Sequence, residues 1–388
     1  MTRDLREAFI SLVRLGIGHT DATDITDNVD WTALKALAAK QGLSAVVLDG
    51  IAALPSSTTQ DYKTEMPQKL RRQWIGEVIR FYENRYQQYE KAISSLAGFY
   101  NQHGYKMMVL KGYACSLDWP KPNHRQCGDI DIWLFNQQAA ADKELVSSFK
   151  FQDPGFKIDN SHHHHTVFRW EGFSVENHYD FVNVHAKKSN KELEVIFKEL
   201  GNECNLEPET WNHKPNTSLR GTRIPSVELC GELVYLPSPN LHALFLIRHM
   251  VSHFVAAEIS LRHVLDWAFF VEKHGKDVDW DWLIGLVEKY HMKEFFDCIN
   301  AICVYDLGFK IELFPHIQFD PFLKERVLND IISPAFGDEL PKNLLPRLIY
   351  KFKRWQGNAW KQKLCYRESR WSAFWNSVWG HLLKPASI

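Results

Sequence analysis

The sequence predicts an α+β protein in which a small mixed sheet lies between an N-terminal and a C-terminal helical region. Three observations carry this. Apolar residues recur at helical spacing up to residue 104. A two-residue alternation replaces it from Asp129 to Phe135 and again from Thr166 to His178, and helical spacing returns after Ser238. The expected divisions are 1–104, 105–236 and 237–388, and a length of 388 residues allows two or three domains.

Asp30-Trp31 precedes Leu34, Leu37 and Ala38 at helix spacing, and Gln41-Gly42 is a stop signal. From Pro67 to Gln102 a long amphipathic helix is expected. Its stripe runs through Ile75, Val78, Ile79, Tyr82, Tyr86, Tyr89, Ile93 and Leu96, and His103-Gly104 ends it. Lys106–Leu110 reads as a short buried strand, and Asp129–Phe135 as a second. Ala139–Phe149 reads as a helix. Thr166–Trp170 and Phe173–His178 read as a hairpin turning at Glu171-Gly172. Asn240 is the expected cap of a helix over Leu241–Val255. Leu261–Val271 and a helix opened by Asp279-Trp280 follow it.

Composition narrows the function. With 45% apolar and 24% charged residues, the chain is neither disordered, collagen-like nor a bare coiled coil. A net charge of −1 removes the case for a wholly basic nucleic-acid binder. The seven cysteines (115, 127, 204, 230, 298, 303 and 365) never form C-x-x-C, which points to free thiols in a reducing compartment. The first residues lack the features of a signal peptide, and no run is long enough to span a bilayer. A soluble, cytoplasmic protein is expected.

Asp129 and Asp131 carry the most chemistry. Two apart on a strand, they share one face while Ile130, Ile132 and Leu134 take the other. Adjacent carboxylates call for a cation, and oxygen donors suit Mg²⁺ or Mn²⁺. Two metals about 3.5–4 Å apart can activate an attacking oxygen and stabilise a leaving phosphate oxygen. Lys111-Gly112 follows a strand and is expected to open a helix, where free N–H groups and a cation favour phosphate. Arg125 precedes the acidic strand and could grip a phosphate bidentately. A third acid, Glu176, shares its strand face with His178 and Asp180.

The stretch LKGYACSLDWPKPNHRQCGDIDIW, residues 110–133, resembles the signature of an uncharacterised bacterial nucleotidyltransferase family within the polymerase-beta-like superfamily. VENH at 175–178, HMVSH at 249–253 and LRHVLDW at 261–267 extend the resemblance over about Phe9 to Trp282. It implies a nucleotidyltransferase-fold sheet with Asp129, Asp131 and Glu176 as catalytic, metal-holding acids. It also implies Lys111, Gly112, Arg125 and His178 as contacts for a nucleoside triphosphate. The implied reaction is Mg²⁺-dependent attack by an acceptor hydroxyl on the α-phosphate, the acceptor being a small molecule, a protein or a tRNA. Gly112 is followed by Tyr113 where many active members have Gly-Ser or Gly-Gly. The resemblance therefore also admits a non-catalytic module that binds nucleotide or a partner.

Other motifs carry less. His162–His165 reads as a polar strand entry lining the cleft, ahead of a zinc site. His249 and His253 share a helix face, but Met250 stands where a zinc protease needs Glu. Arg262 and Asp266 are spaced for an ion pair along their helix. From Lys342 onward ten basic residues face one acid, Glu368, with Trp355, Trp360, Trp371, Trp375 and Trp379 interleaved. Such a tail suits RNA or an anionic membrane surface. The simpler expectation is tryptophans packed on the body with the lysines solvated.

Overall fold

The computed structural model describes residues 2–19, 29–54, 66–150, 153, 155–203, 225–315, 317–336, 341 and 343–369. Asp30 caps the helix Trp31–Lys40 by accepting from the Thr32 and Ala33 amides. Helices Arg3–Gly16 and Ser44–Ala53 pack closely through glycine. A Cβ at Gly16 would sit on the Val46 carbonyl oxygen, and one at Gly50 on that of Leu12. Gly50→Ala should therefore destabilise the chain by about 1–3 kcal/mol, the usual cost of overpacking. A urea midpoint equal to that of the wild type would show that the helices can part without loss.

The long helix runs as Gln68–Val78 and Asn84–Gln102, joined by a π-helical turn at Ile79–Glu83. That turn holds one extra residue, so the buried stripe steps by four through Trp74, Val78, Tyr82 and Tyr86. Ile75 and Ile79, expected inside, are instead exposed, and Trp74 takes the core position.

Six strands form one mixed sheet: β1 (Met108–Val109), β2 (Ile130–Trp133), β3 (His165–Trp170), β4 (Phe173–His178), β5 (Ser226–Leu229) and β6 (Glu232–Tyr235). Their order is β3-β4-β2-β1-β6-β5. β2 pairs parallel with β4 and antiparallel with β1, and β1 pairs parallel with β6. The β3–β4 hairpin turns at Glu171-Gly172, as expected. The β5–β6 hairpin through Cys230-Gly231 is an addition to the sequence reading.

One sheet face, with Ile130, Ile132 and Leu134, packs on Tyr86, Tyr89, Ile93 and Leu96 of the long helix. The other, with Trp133 and Phe135, joins a larger core shared by the N-terminal and C-terminal helices. The first of the C-terminal helices is Pro239–Ala256, with Ser238 at the cap position. Asn240 lies inside its first turn and accepts from the Asp279 amide instead of capping. Leu261–His274 and Trp280–Lys289 follow, the latter capped by Asp279. No helix among the described residues is long and apolar enough to cross a membrane.

The tail begins as helices Leu344–Gly357 and Ala359–Cys365. Trp360 packs edge-on against Phe254 with Arg326 over its ring, and Lys361 is buried in an ion pair with Asp330. Trp371, Trp375 and Trp379 lie outside the described residues.

Candidate active site

The pairing of β2 with β4 sets Asp131 beside Glu176 and Trp133 beside His178. The pairing of β3 with β4 sets His165 beside His178. Side chains of directly opposed residues lie close enough to interact, so two registers bring carboxylates and imidazoles to one point.

Asp131 is fully buried. Its Oδ1 lies 2.9 Å from Lys111 Nζ and 3.2 Å from His178 Nε2, while its Oδ2 is buried with no hydrogen-bond partner. Burial opposes its charge, but Lys111 and His178 hold the carboxyl well below the usual carboxylate range. Glu176 moves the opposite way: burial and the charge of Asp131 push its carboxyl far above that range. His178 Nδ1 lies 3.2 Å from the Asp180 carbonyl. A carbonyl only accepts, so Nδ1 carries the proton and Nε2 faces the carboxylates. Asp131, Glu176 and His178 each offer a donor atom within 4.8 Å of the others. The unpartnered Asp131 oxygen and this donor set fit a divalent cation.

Asp129 precedes β2 and lines the cavity, its own carbonyl accepting from the Tyr89 hydroxyl at 2.7 Å. Gly112 has φ +61°, and a Cβ there would collide with the Tyr89 hydroxyl, so glycine is required at this turn. The expected helix after it is a single turn, Tyr113–Ser116. The Tyr113 ring is buried in the core beside Tyr86.

Lys111, Asp129, Glu176 and His178 line one end of a cavity of about 770 Å³, with Asp131 buried behind them. Its other walls carry His249, Ser252 and His253 from the helix Pro239–Ala256, Lys187, and Lys351, Arg354 and Trp355 from the tail. The tail thus contributes to the cavity, a role its composition alone did not reveal. His163, His164 and His165 line it too, matching the cleft expectation. Burial and the neighbouring His178 push His165 down to about 3, and His164 falls for the same reasons. Burial likewise lowers His249 and His253. A depression of about 840 Å³ beside the helix Gln138–Phe149 lacks such chemistry. Its one carboxylate, Asp142, already accepts from Gln138, Thr166 and Asn177.

Four sequence expectations meet a different arrangement. Arg125 is buried, donating from Nε and Nη2 to the two oxygens of Asp266 at 2.7 and 2.8 Å, and it does not line the cavity. Asp266 therefore pairs across the fold rather than along its helix, and Arg262 donates to the Gln126 carbonyl. Lys111, expected to await a phosphate, is ion-paired with Asp131. Asp180, expected beside Glu176, is paired with Lys198.

Among family models, that of an uncharacterised nucleotidyltransferase matches residues 27–305. No curated protein and no solved structure matches.

Proposed function

This chain belongs to the uncharacterised nucleotidyltransferase family, and from that membership we propose that it transfers a nucleoside monophosphate from a nucleoside triphosphate to an acceptor hydroxyl. The observation that carries the reading is the register of β2 on β4, which sets buried Asp131 directly behind Glu176, a lining residue of a cavity with cationic walls. In the transfer the acceptor oxygen bonds to the α-phosphorus, the bond to the bridging oxygen breaks, and pyrophosphate leaves. Glu176, in its ionised form, takes the hydroxyl proton, as the more basic of the paired acids. Asp129 and Asp131, with Glu176 at the edge, would hold a divalent ion, Mg²⁺ or Mn²⁺, which when bound neutralises triphosphate charge.

The triphosphate lies toward Lys187, Lys351 and Arg354, since Arg125 is engaged elsewhere. Catalysis is then mostly positioning and charge neutralisation. Tyr113 was the reason to consider a non-catalytic module, and a ring held in the core supports the catalytic reading instead.

Calorimetric titration of each of the four ribonucleoside triphosphates, with and without Mg²⁺, tests this. Metal-dependent binding of a donor is expected, and transfer of its α-labelled form in a cell lysate then finds the acceptor. Absence of binding under every condition would return the chain to a partner-binding role.

The same titration reads Lys187. Its ammonium donates to Gln362 at 2.8 Å and lies 3.3 Å from the Tyr366 ring centroid. Burial and Arg248 push it down to about 7, opposed by Glu368 and Cys365. A lowered lysine pKa means the charge is present below about 7 and lost above it. Its contribution to nucleotide binding should therefore fall by up to about tenfold per unit as pH rises past that point. Lys187→Met should flatten this slope. Equal slopes in both proteins would remove Lys187 from the phosphate site.

A further inference from the structure

We propose that His164, His165 and His178 form a metal site of their own, suited to a transition-metal ion of the Zn²⁺ class rather than to Mg²⁺. The inference stands on geometry, and it shares Glu176 and His178 with the acidic site described above.

The three rings converge because His165 and His178 are directly opposed on β3 and β4, their centroids 5.1 Å apart. His164 lies 4.3 Å from His165 and 5.5 Å from His178, centroid to centroid. One nitrogen from each ring falls within 4.8 Å of the others. His164 Nδ1 and both nitrogens of His165 are buried without a hydrogen-bond partner, and His165 is only 6% exposed. Buried polar atoms are nearly always satisfied, so adjacent rings that each carry an orphan nitrogen, His165 offering one of its two to the group, require an explanation.

The remaining donors fit the same ion. His178 donates from Nδ1 to the Asp180 carbonyl, the outer contact that typically orients a metal-ligating imidazole, and its Nε2, now 3.2 Å from Asp131 Oδ1, is the nitrogen that would turn to the ion. Glu176 Oε2 lies 3.7 Å from His178 Nε2 and 3.9 Å from His165 Nδ1. Donors around one tetrahedral Zn²⁺, with bonds of about 2.0–2.1 Å, stand about 3.4 Å apart. Small ring rotations close that gap. Three imidazoles and one carboxylate match Zn²⁺ and its neighbours, whereas Mg²⁺ prefers oxygen and water in an octahedron. Glu176 stands between this set and the Asp129–Asp131 acids, so the two ions would be neighbours.

The test uses Co²⁺ as a spectroscopic stand-in on the full chain, stripped with chelator and titrated in millimolar Mg²⁺. One equivalent should bind with the strong visible absorption of tetrahedral Co²⁺ and resist the Mg²⁺. The His164→Ala/His165→Ala double variant should lose about 10–100-fold or more in affinity. The His162→Ala/His163→Ala variant should keep it, which separates a built site from a histidine run binding metal on its own. Circular dichroism checks folding, and His165→Gln replaces the double variant if that one unfolds. Displacement of Co²⁺ by Mg²⁺, equal losses in the two double variants, or no binding to the wild type would each overturn the assignment.

Discussion

Asp131→Asn is expected to abolish metal-dependent nucleotide binding and transfer while leaving the chain folded. The reasoning starts from burial. A fully buried carboxylate persists only because a cation faces it, and here Lys111 Nζ lies 2.9 Å from Oδ1. Oδ2 is buried without a hydrogen-bond donor among the described residues, which leaves it available to a metal. Asparagine keeps the volume and one accepting oxygen but removes the charge and places an amide among donors. Loss of one such electrostatic contact typically costs roughly 10²–10³-fold in rate. Fold stability should fall by only about 1–3 kcal/mol, because Lys111 keeps Asp129 and Glu176 nearby. Alanine would open a cavity as well, which makes asparagine the cleaner probe. The measurement is nucleotide calorimetry with and without Mg²⁺, accompanied by a thermal melt. A folded asparagine variant that binds nucleotide as the wild type does would sink the metal assignment.

What was legible in the sequence was local. The alternation around Asp129 and Asp131 identified the strand, and the E-N-H spacing identified Glu176 and His178 on another. These are properties of a few consecutive residues. Their meeting depends on β2 lying parallel to β4, which no short window encodes. The histidine run shows the same limit: its chemistry depends on the hairpin register that opposes His165 to His178. A turn at Glu171-Gly172 counted back through both strands could have found that pair. Trp74 was missed because a π-helical turn shifts the stripe by one residue, and periodicity at 3.6 residues has no term for that. The β5–β6 hairpin has an alternating sequence around Cys230-Gly231, a signal present but passed over. The tail's place in the cavity follows from tertiary packing of Trp360 and Lys361, which composition cannot express.

The widest gap between pattern and structure is Arg125, and it leads to the second large effect. A residue 141 positions away holds its guanidinium: Asp266 accepts from it through both oxygens and from Trp119 Nε1 at 2.9 Å. Both partners are at most 5% exposed. Burial works against each charge, yet each stabilises the other, raising Arg125 and lowering Asp266. Removing one partner strands a buried charge, so Arg125→Ala and Asp266→Ala should each cost about 3–5 kcal/mol in unfolding free energy. The double variant Arg125→Met/Asp266→Leu should recover most of it, because an apolar pair of similar volume avoids the desolvation penalty. This double variant also separates the two roles Arg125 could have. As a clamp fixing the segment ahead of Asp129 onto the helix Leu261–His274, it is dispensable once packing is restored, and nucleotide affinity should stay within about threefold of the wild type. As a triphosphate ligand, its loss should weaken nucleotide binding in the restored fold as well. A stable double variant that no longer binds nucleotide would therefore return Arg125 to the phosphate site and require Asp266 to release it when nucleotide arrives.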